Sequence, residues 1–198
     1  MPADESTSMW PYIATVAVGV VAFFGYRGLR DFFSWLRIRR NRPELTISLQ
    51  YPISTEKPIP NGEVVRFYHL RVHNTGKTDA TNCRARVMAI WSNGENVLGA
   101  GDVPLHWAHG PLETDSRTVP KAEVVELDLF SQAQADPTHI CVFGTRQIPD
   151  GLRKRYEPGE YSLKVRLTAD NAEPRDLRLN VVHQGSWEQP AELTHAGA

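Results

Sequence analysis

The chain has 198 residues, 41% of them hydrophobic and 23% charged, and a formal net charge of −1. This composition is typical of a globular protein rather than a disordered one. Residues 1–42 hold six basic and three acidic residues, whereas the rest holds sixteen basic and twenty acidic residues. An acidic body excludes a broad nucleic-acid surface, so we expect no nucleic-acid partner. Two cysteines are too few for a disulfide scaffold or a four-cysteine zinc site.

A polar N-terminus, residues 1–8, precedes an uncharged apolar segment, residues 9–26. As a helix this segment would be about 27 Å long, close to the thickness of the bilayer hydrocarbon. A cleaved signal peptide would need a basic leader, which residues 1–8 lack, and a buried core helix would have a polar face. The sequence therefore predicts one transmembrane helix over 9–26.

Six arginines follow the apolar segment, and none precedes it. Because basic residues beside a span remain in the cytoplasm, we expect the N-terminus outside and the C-terminal domain inside the cell. The same side chains are predicted to lie at the membrane surface: Arg27, Arg30, Arg37, Arg39, Arg40 and Arg42.

Residues 27–42 have a helical apolar pattern, with Leu29, Phe32, Phe33 and Leu36 spaced along one face. A short basic amphipathic helix of this kind can lie on an anionic bilayer. The alternative is that the span helix continues and packs against a neighbour. Thr15 and Gly19 form one small-xxx-small pair, a pattern found in helix dimers, which leaves a homodimer through the membrane helix open.

After Pro43 the apolar period changes from about 3.6 to two residues. Such alternation is typical of antiparallel sheets with one buried face. The sequence predicts an antiparallel β-sandwich over 43–183, with Asn-Gly turns in NTGK at 74–77 and SNGEN at 92–96, and a flexible tail over 184–198. The inward-facing sets are Leu45, Ile47, Leu49 and Tyr51; Tyr68, Leu70 and Val72; Cys83, Ala85, Val87, Ala89 and Trp91; Val125, Leu127 and Leu129; Tyr161, Leu163, Val165 and Leu167; and Leu177, Leu179 and Val181.

Two stretches carry a family resemblance. EPGEYSL at 157–163 resembles the D-x-G-x-Y-x-C stretch of immunoglobulin-type domains, and FYHLRVHNTGKTDATNCRARV at 67–87 resembles a hairpin of prokaryotic immunoglobulin-like (CARDB-like) domains. The resemblance implies an immunoglobulin-like fold, a tyrosine corner at Tyr161 and a role in adhesion, scaffolding or binding. Cys83 and Cys141 do not fit the family's inter-sheet disulfide.

Motifs for catalysis, phosphate binding and metal binding are missing from the sequence. His69 and His73 on one strand would be about 13 Å apart, too far for one ion, and are expected on an exposed polar face. Glu126 and Asp128 are expected on another solvated face. We therefore predict no enzyme, no cofactor and no metal.

The long connections 97–121 and 131–158 are the candidate binding sites. Trp and Arg are frequent at binding hot spots; the first connection contains Trp107, and the second contains Arg146, Arg153 and Arg155. The alternative is that Trp107 packs at the edge of the core and the basic run is solvated. The candidate binding residues are His106, Trp107, His109, Arg146, Arg153, Lys154, Arg155 and Tyr156.

The sequence thus predicts a membrane-anchored protein whose cytoplasmic immunoglobulin-like domain binds or organises a protein partner. One alternative is an extracellular or periplasmic adhesion module on the same anchor. A second is an enzyme whose site is built from the loops.

Overall fold

A computed structural model describes residues 25, 28–34, 39–60, 62–111, 113–142, 144 and 152–196. The chain forms two compact units, Met1–Asn41 and Arg42–Ala198. In the first unit, residues 28–34 and 39–41 are helical. The described part of the chain contains no helix of the length and apolarity that a membrane crossing requires. Apart from Gly25, the predicted span 9–26 lies outside the described residues.

The second unit consists of β-strands arranged in two antiparallel sheets, which confirms the mainly β fold. The described residues form thirteen strands: β1 (Leu45–Pro58), β2 (Val64–Asn74), β3 (Ala80–Ser92), β4 (Glu95–Asn96), β5 (Val103–Pro104), β6 (His106–Trp107), β7 (Arg117–Val119), β8 (Val124–Ala133), β9 (Asp136–Val142), β10 (Arg155–Tyr156), β11 (Gly159–Ala169), β12 (Ala172–His183) and β13 (Glu192–His195).

The first sheet has the strand order β1-β2-β8-β9-β10, and β6 also pairs with β8. The second has the order β13-β12-β11-β3-β4, with β5 and β7 also paired to β3. Apolar side chains from both sheets form one buried cluster, so each sheet buries one face against the other. Most of the predicted inward-facing residues lie in this cluster, Leu70, Leu127, Leu163 and Leu179 among them.

Trp91 departs from the predicted alternation. In the pairing of β3 with β11, Val87 is opposite Val165 but Ala89 is opposite Lys164, so the register shifts between them. A shift of one residue moves the following side chains to the other face. Ile90 therefore enters the core, and Trp91, predicted to point inward, is partly exposed on the outer face of the second sheet.

Two local predictions agree with the structure. The SNGEN segment makes a hairpin between β3 and β4 in which Asn93 and Gly94 have φ angles of 51° and 82°, as a tight Asn-Gly turn requires. At the start of β11, the hydroxyl of Tyr161 donates a 2.8 Å hydrogen bond to the carbonyl of Glu157. This is the contact of a tyrosine corner.

The prediction of a flexible tail is wrong for residues 191–195. β13 pairs with β12, and Ala191 and Leu193 are buried. The hydroxyl of Tyr68 accepts a 2.9 Å hydrogen bond from the amide of Ala191, and the Arg66 guanidinium donates to the carbonyl of Trp187 at 2.8 Å. A four-residue strand is too short to show a period in the sequence, which is why the tail read as irregular.

Asn74 and Gly76 pack against residues 42–44, which lead into β1. Asn74 is fully buried and its side chain donates to the carbonyls of Thr78 and Val119 at 2.9 and 3.0 Å. Its Oδ1 accepts from the amide of Gly76 at 3.1 Å. A Cβ atom on Gly76 would lie 2.3 Å from the backbone nitrogen of Glu44, so no side chain fits there.

We therefore expect Gly76→Ala to lower the free energy of unfolding by about 3 kcal/mol, because backbone must move to admit the methyl group. Gly94→Ala is the matched control, since Gly94 has open space around it and only an unfavourable φ, worth about 1 kcal/mol. Urea unfolding of both variants measures the difference. Equal losses in the two variants would contradict the close packing at Gly76.

Candidate functional site

Two of the predicted binding residues belong to the fold instead of an exposed loop. Trp107 and His106 form β6, where they are 2% and 5% exposed. Neither side chain therefore lies on an exposed loop, and the alternative, Trp107 packed with the core, is the observed one. The cause is that the two-residue strand β6 joins the edge of β8. His109 is exposed in the turn that follows, with a φ angle of 64°.

Tyr156 is also a core residue, with 1% of its surface exposed. Its hydroxyl donates to the carbonyl of Arg153 at 2.7 Å, and its ring meets that of Tyr161 edge to face at 5.5 Å. Burial raises the pKa of Tyr156 well above its ordinary value, so the phenol is neutral. It supports the start of β11 and is not available for recognition.

The basic residues near β10 are exposed, as expected. Arg155 forms an ion pair with Asp136, and Arg153 lies with its guanidinium 5.5 Å from the ring of Tyr156. Lys154 is exposed between them, whereas Arg146 lies outside the described residues.

Of the arginines predicted at the membrane surface, Arg30, Arg39 and Arg40 are exposed, and Arg27 and Arg37 lie outside the described residues. Arg42 instead belongs to the folded domain, where it pairs with Glu173 at 2.8 Å.

The densest polar arrangement in the domain is one that sequence reasoning missed. His69 on β2 and His106 on β6 are both register partners of Asp128 on β8, so the three form one row across three strands. All three are nearly buried, with 2%, 5% and 6% of their surfaces exposed. We refer to them as the His-Asp-His row.

The hydrogen bonds of His106 define its charge. Its Nδ1 lies 2.9 Å from Oδ2 of Asp128, and its Nε2 lies 2.9 Å from the carbonyl oxygen of Gly110. Because both partners only accept hydrogen bonds, both ring nitrogens must donate, and His106 is an imidazolium. The bond to Asp128 raises the pKa of His106. Although burial opposes it, the hydrogen bond from His106 and the close contact with His69 keep the pKa of Asp128 below its usual range.

His69 completes the row from the other side. Its Nε2 lies 2.7 Å from the hydroxyl oxygen of Thr55. Its Nδ1 lies 2.8 Å from Oδ1 of Asp128, a close contact that is not in line for a hydrogen bond. The expectation that His69 and Asp128 are solvated is therefore wrong. Thr55 covers one side of the row and the turn at Gly110 the other, and neither cover leaves a periodic signal in the sequence.

The order hydroxyl, imidazole, carboxylate in Thr55, His69 and Asp128 is that of a nucleophilic triad. Two features oppose that chemistry here. The His69 Nδ1 is out of line with the carboxylate, and the charge of Asp128 is already compensated by His106. The row is suited instead to hold β2, β8 and β6 together as a buried ion pair.

Within the described residues, no group of three His, Cys, Asp or Glu side chains is arranged to hold a metal ion.

Cys83 and Cys141 are free, as the sequence indicated. Burial raises the pKa of both thiols, that of Cys83 to about 11, so neither is an activated nucleophile near neutral pH.

Comparison with known proteins identifies no family: no family model, no curated protein and no solved structure matches this chain.

The His-Asp-His row predicts a pH dependence of stability. His106, whose pKa is raised on folding from 6.5, stabilises fully below that value and loses its contribution as the pH rises through its folded pKa. Asp128, whose pKa is lowered from 3.8, stabilises above that value and loses its contribution as the pH falls through its folded pKa. The stabilisation by the pair is therefore greatest between pH 3.8 and 6.5.

We expect Asp128→Asn to lower the free energy of unfolding by about 3 kcal/mol in that window, because a buried charge loses its partner. The difference between wild type and variant should shrink as the pH rises above neutrality. Glu126→Gln, on the same strand, is the matched control with a difference independent of pH in this range. Chemical unfolding from pH 5 to 9 measures both, and a wild-type-like profile in Asp128→Asn would contradict the ion pair.

Proposed function

We propose that this protein is a single-pass membrane protein whose immunoglobulin-like β-sandwich binds or organises a partner on the cytoplasmic side. Residues 9–26 form the anchor, and residues 27–41 contact the lipid headgroups. The domain acts by contact and not by catalysis.

The observation that carries the proposal is an exposed apolar face on helical residues 28–34. Leu29, Phe32 and Phe33 lie on one side of the helix and are 59%, 52% and 63% exposed. Burial of one such side chain contributes about 1.5–3 kcal/mol, so a helix face with three of them favours contact with an apolar environment. Asp31 lies on the opposite side of the helix, so the segment is amphipathic.

The charges around this helix fit an anionic lipid surface. Arg30, Arg39 and Arg40 are exposed, and each arginine near such a surface contributes about 1 kcal/mol. Cytoplasmic leaflets carry anionic lipids, and basic flanks remain in the cytoplasm. Both arguments favour a cytoplasmic domain over an extracellular or periplasmic one.

The contacts in the domain favour binding over catalysis. An enzyme site built from the connections 97–121 and 131–158 would depend on their histidines, which are His106, His109 and His139. His106 is buried in an ion pair with Asp128, and His139, on β9, bonds to Asp136 at 2.9 Å. The tyrosine corner and the two-sheet core support the immunoglobulin-like assignment.

A fluorescent label tests the membrane role of the helix. In a full-length chain carrying Cys83→Ala and Cys141→Ser, we expect an environment-sensitive dye on Phe33→Cys to shift to the blue on reconstitution into anionic vesicles. The same dye on Asp31→Cys is the matched control and should report water, because that position faces away from the apolar side. Equal spectra at both positions would contradict a helix lying on the bilayer.

The orientation has its own test in intact cells. A cysteine added after Ala198 should resist a membrane-impermeant thiol reagent until the cells are opened. Labelling before lysis would contradict the cytoplasmic placement and favour the adhesion module.

A further inference from the structure

A groove of about 620 Å³ lies on the outer face of the second sheet. Four of its lining residues form one row across four strands. Trp91 on β3 is opposite Ser162 on β11, Ser162 is opposite Asn180 on β12, and Asn180 is opposite Thr194 on β13. Each residue has core side chains next to it in sequence, so all four project away from the core.

The row differs from the rest of that face because its side chains are uncharged and unpaired. Elsewhere on the face, Lys164 and Arg166 both pair with Asp176, at 2.8 and 2.7 Å. Within the described part of the chain, the four side chains of the row form no intramolecular hydrogen bond. They thus offer one partly exposed indole and three neutral groups that can donate and accept hydrogen bonds.

We infer that this groove binds a neutral saccharide, which deepens the proposed binding function and rests on it. The flat indole of Trp91 offers an apolar surface to the C–H face of a sugar ring. The hydroxyls of Ser162 and Thr194 and the amide of Asn180 match the hydroxyl groups of successive rings. With neighbouring strands about 4.8 Å apart, the row extends for about 14 Å, enough for a short oligosaccharide.

Other classes of ligand fit the groove less well. Peptides that bind a sheet add a strand at its edge, but this row crosses the middle of the sheet, where the backbones of β11 and β12 are paired on both sides. Nucleic acids require cationic side chains for their phosphates. The groove lining has none, and its single charged residue is Glu160. The charge of the site therefore disfavours anionic ligands.

The register shift explains how the site arises. Without the shift between Val87 and Ala89, Trp91 would lie in the core and Ile90 on the surface. The shift places the one large aromatic side chain of β3 at the end of the row. Because of the register shift, this face of the sheet has an apolar surface beside polar groups.

The test uses the full-length chain in an amine-oxide detergent, because a glycoside detergent would compete. The probes are immobilised neutral oligosaccharides of glucose, galactose, mannose and N-acetylglucosamine, with sialylated and sulfated oligosaccharides and neutral peptides for comparison. We expect binding to neutral oligosaccharides that Trp91→Ala and Asn180→Ala each weaken about tenfold, the loss expected for a hot-spot residue.

Thr168→Ala, on the same face of β11 but outside the groove, is the matched control and should bind as the wild type does. Thermal unfolding checks that each variant is folded. If Trp91→Ala does not fold, the binding of Asn180→Ala, at an exposed position, tests the inference. Absence of binding to every neutral oligosaccharide, a preference for peptides, or undiminished binding by both variants would overturn the inference. Flotation of the same preparation with vesicles keeps the outcomes separate, since loss of flotation would count against the membrane anchor instead.

Discussion

The folded domain depends on the burial of one face of each of its two sheets against the other. Over much of the long strands alternate residues face this interior, as Leu163, Val165 and Leu167 on β11 illustrate. The buried cluster is large enough to need no disulfide, and both cysteines are free. The features that distinguish this domain from other β-sandwiches therefore lie on its outer faces. There, side chains either pair with one another or remain available to a ligand.

The two outer faces differ in this respect. On the first sheet, His69, Asp128 and His106 form a covered polar row that joins three strands. On the second sheet, the row from Trp91 to Thr194 lines an open groove, and its side chains form no hydrogen bond within the described part of the chain. The first row stabilises the scaffold, and the second is the surface on which a binding function can act.

The sequence predicts the sheets well because the period of two extends over long strands with one buried face. It also identifies the hairpin at Asn93 and the corner at Tyr161, where a short motif has a local cause. The prediction from sequence fails where the position of a strand or side chain depends on pairing with distant parts of the chain. β6 and β13 have two and four residues, too few for a period, and their places depend on neighbours distant in sequence. Trp91 and Asp128 could not be placed, because neither a register shift nor the cover over a polar side chain has a signature in the sequence.

The most direct measurement for the account as a whole is extraction of membranes from cells that produce the full-length chain. Alkaline carbonate removes proteins held by charge or by a partner but leaves those anchored in the bilayer core. The account predicts that the chain stays in the membrane pellet after carbonate and is released only by detergent. Recovery of the folded chain in the carbonate supernatant would contradict it.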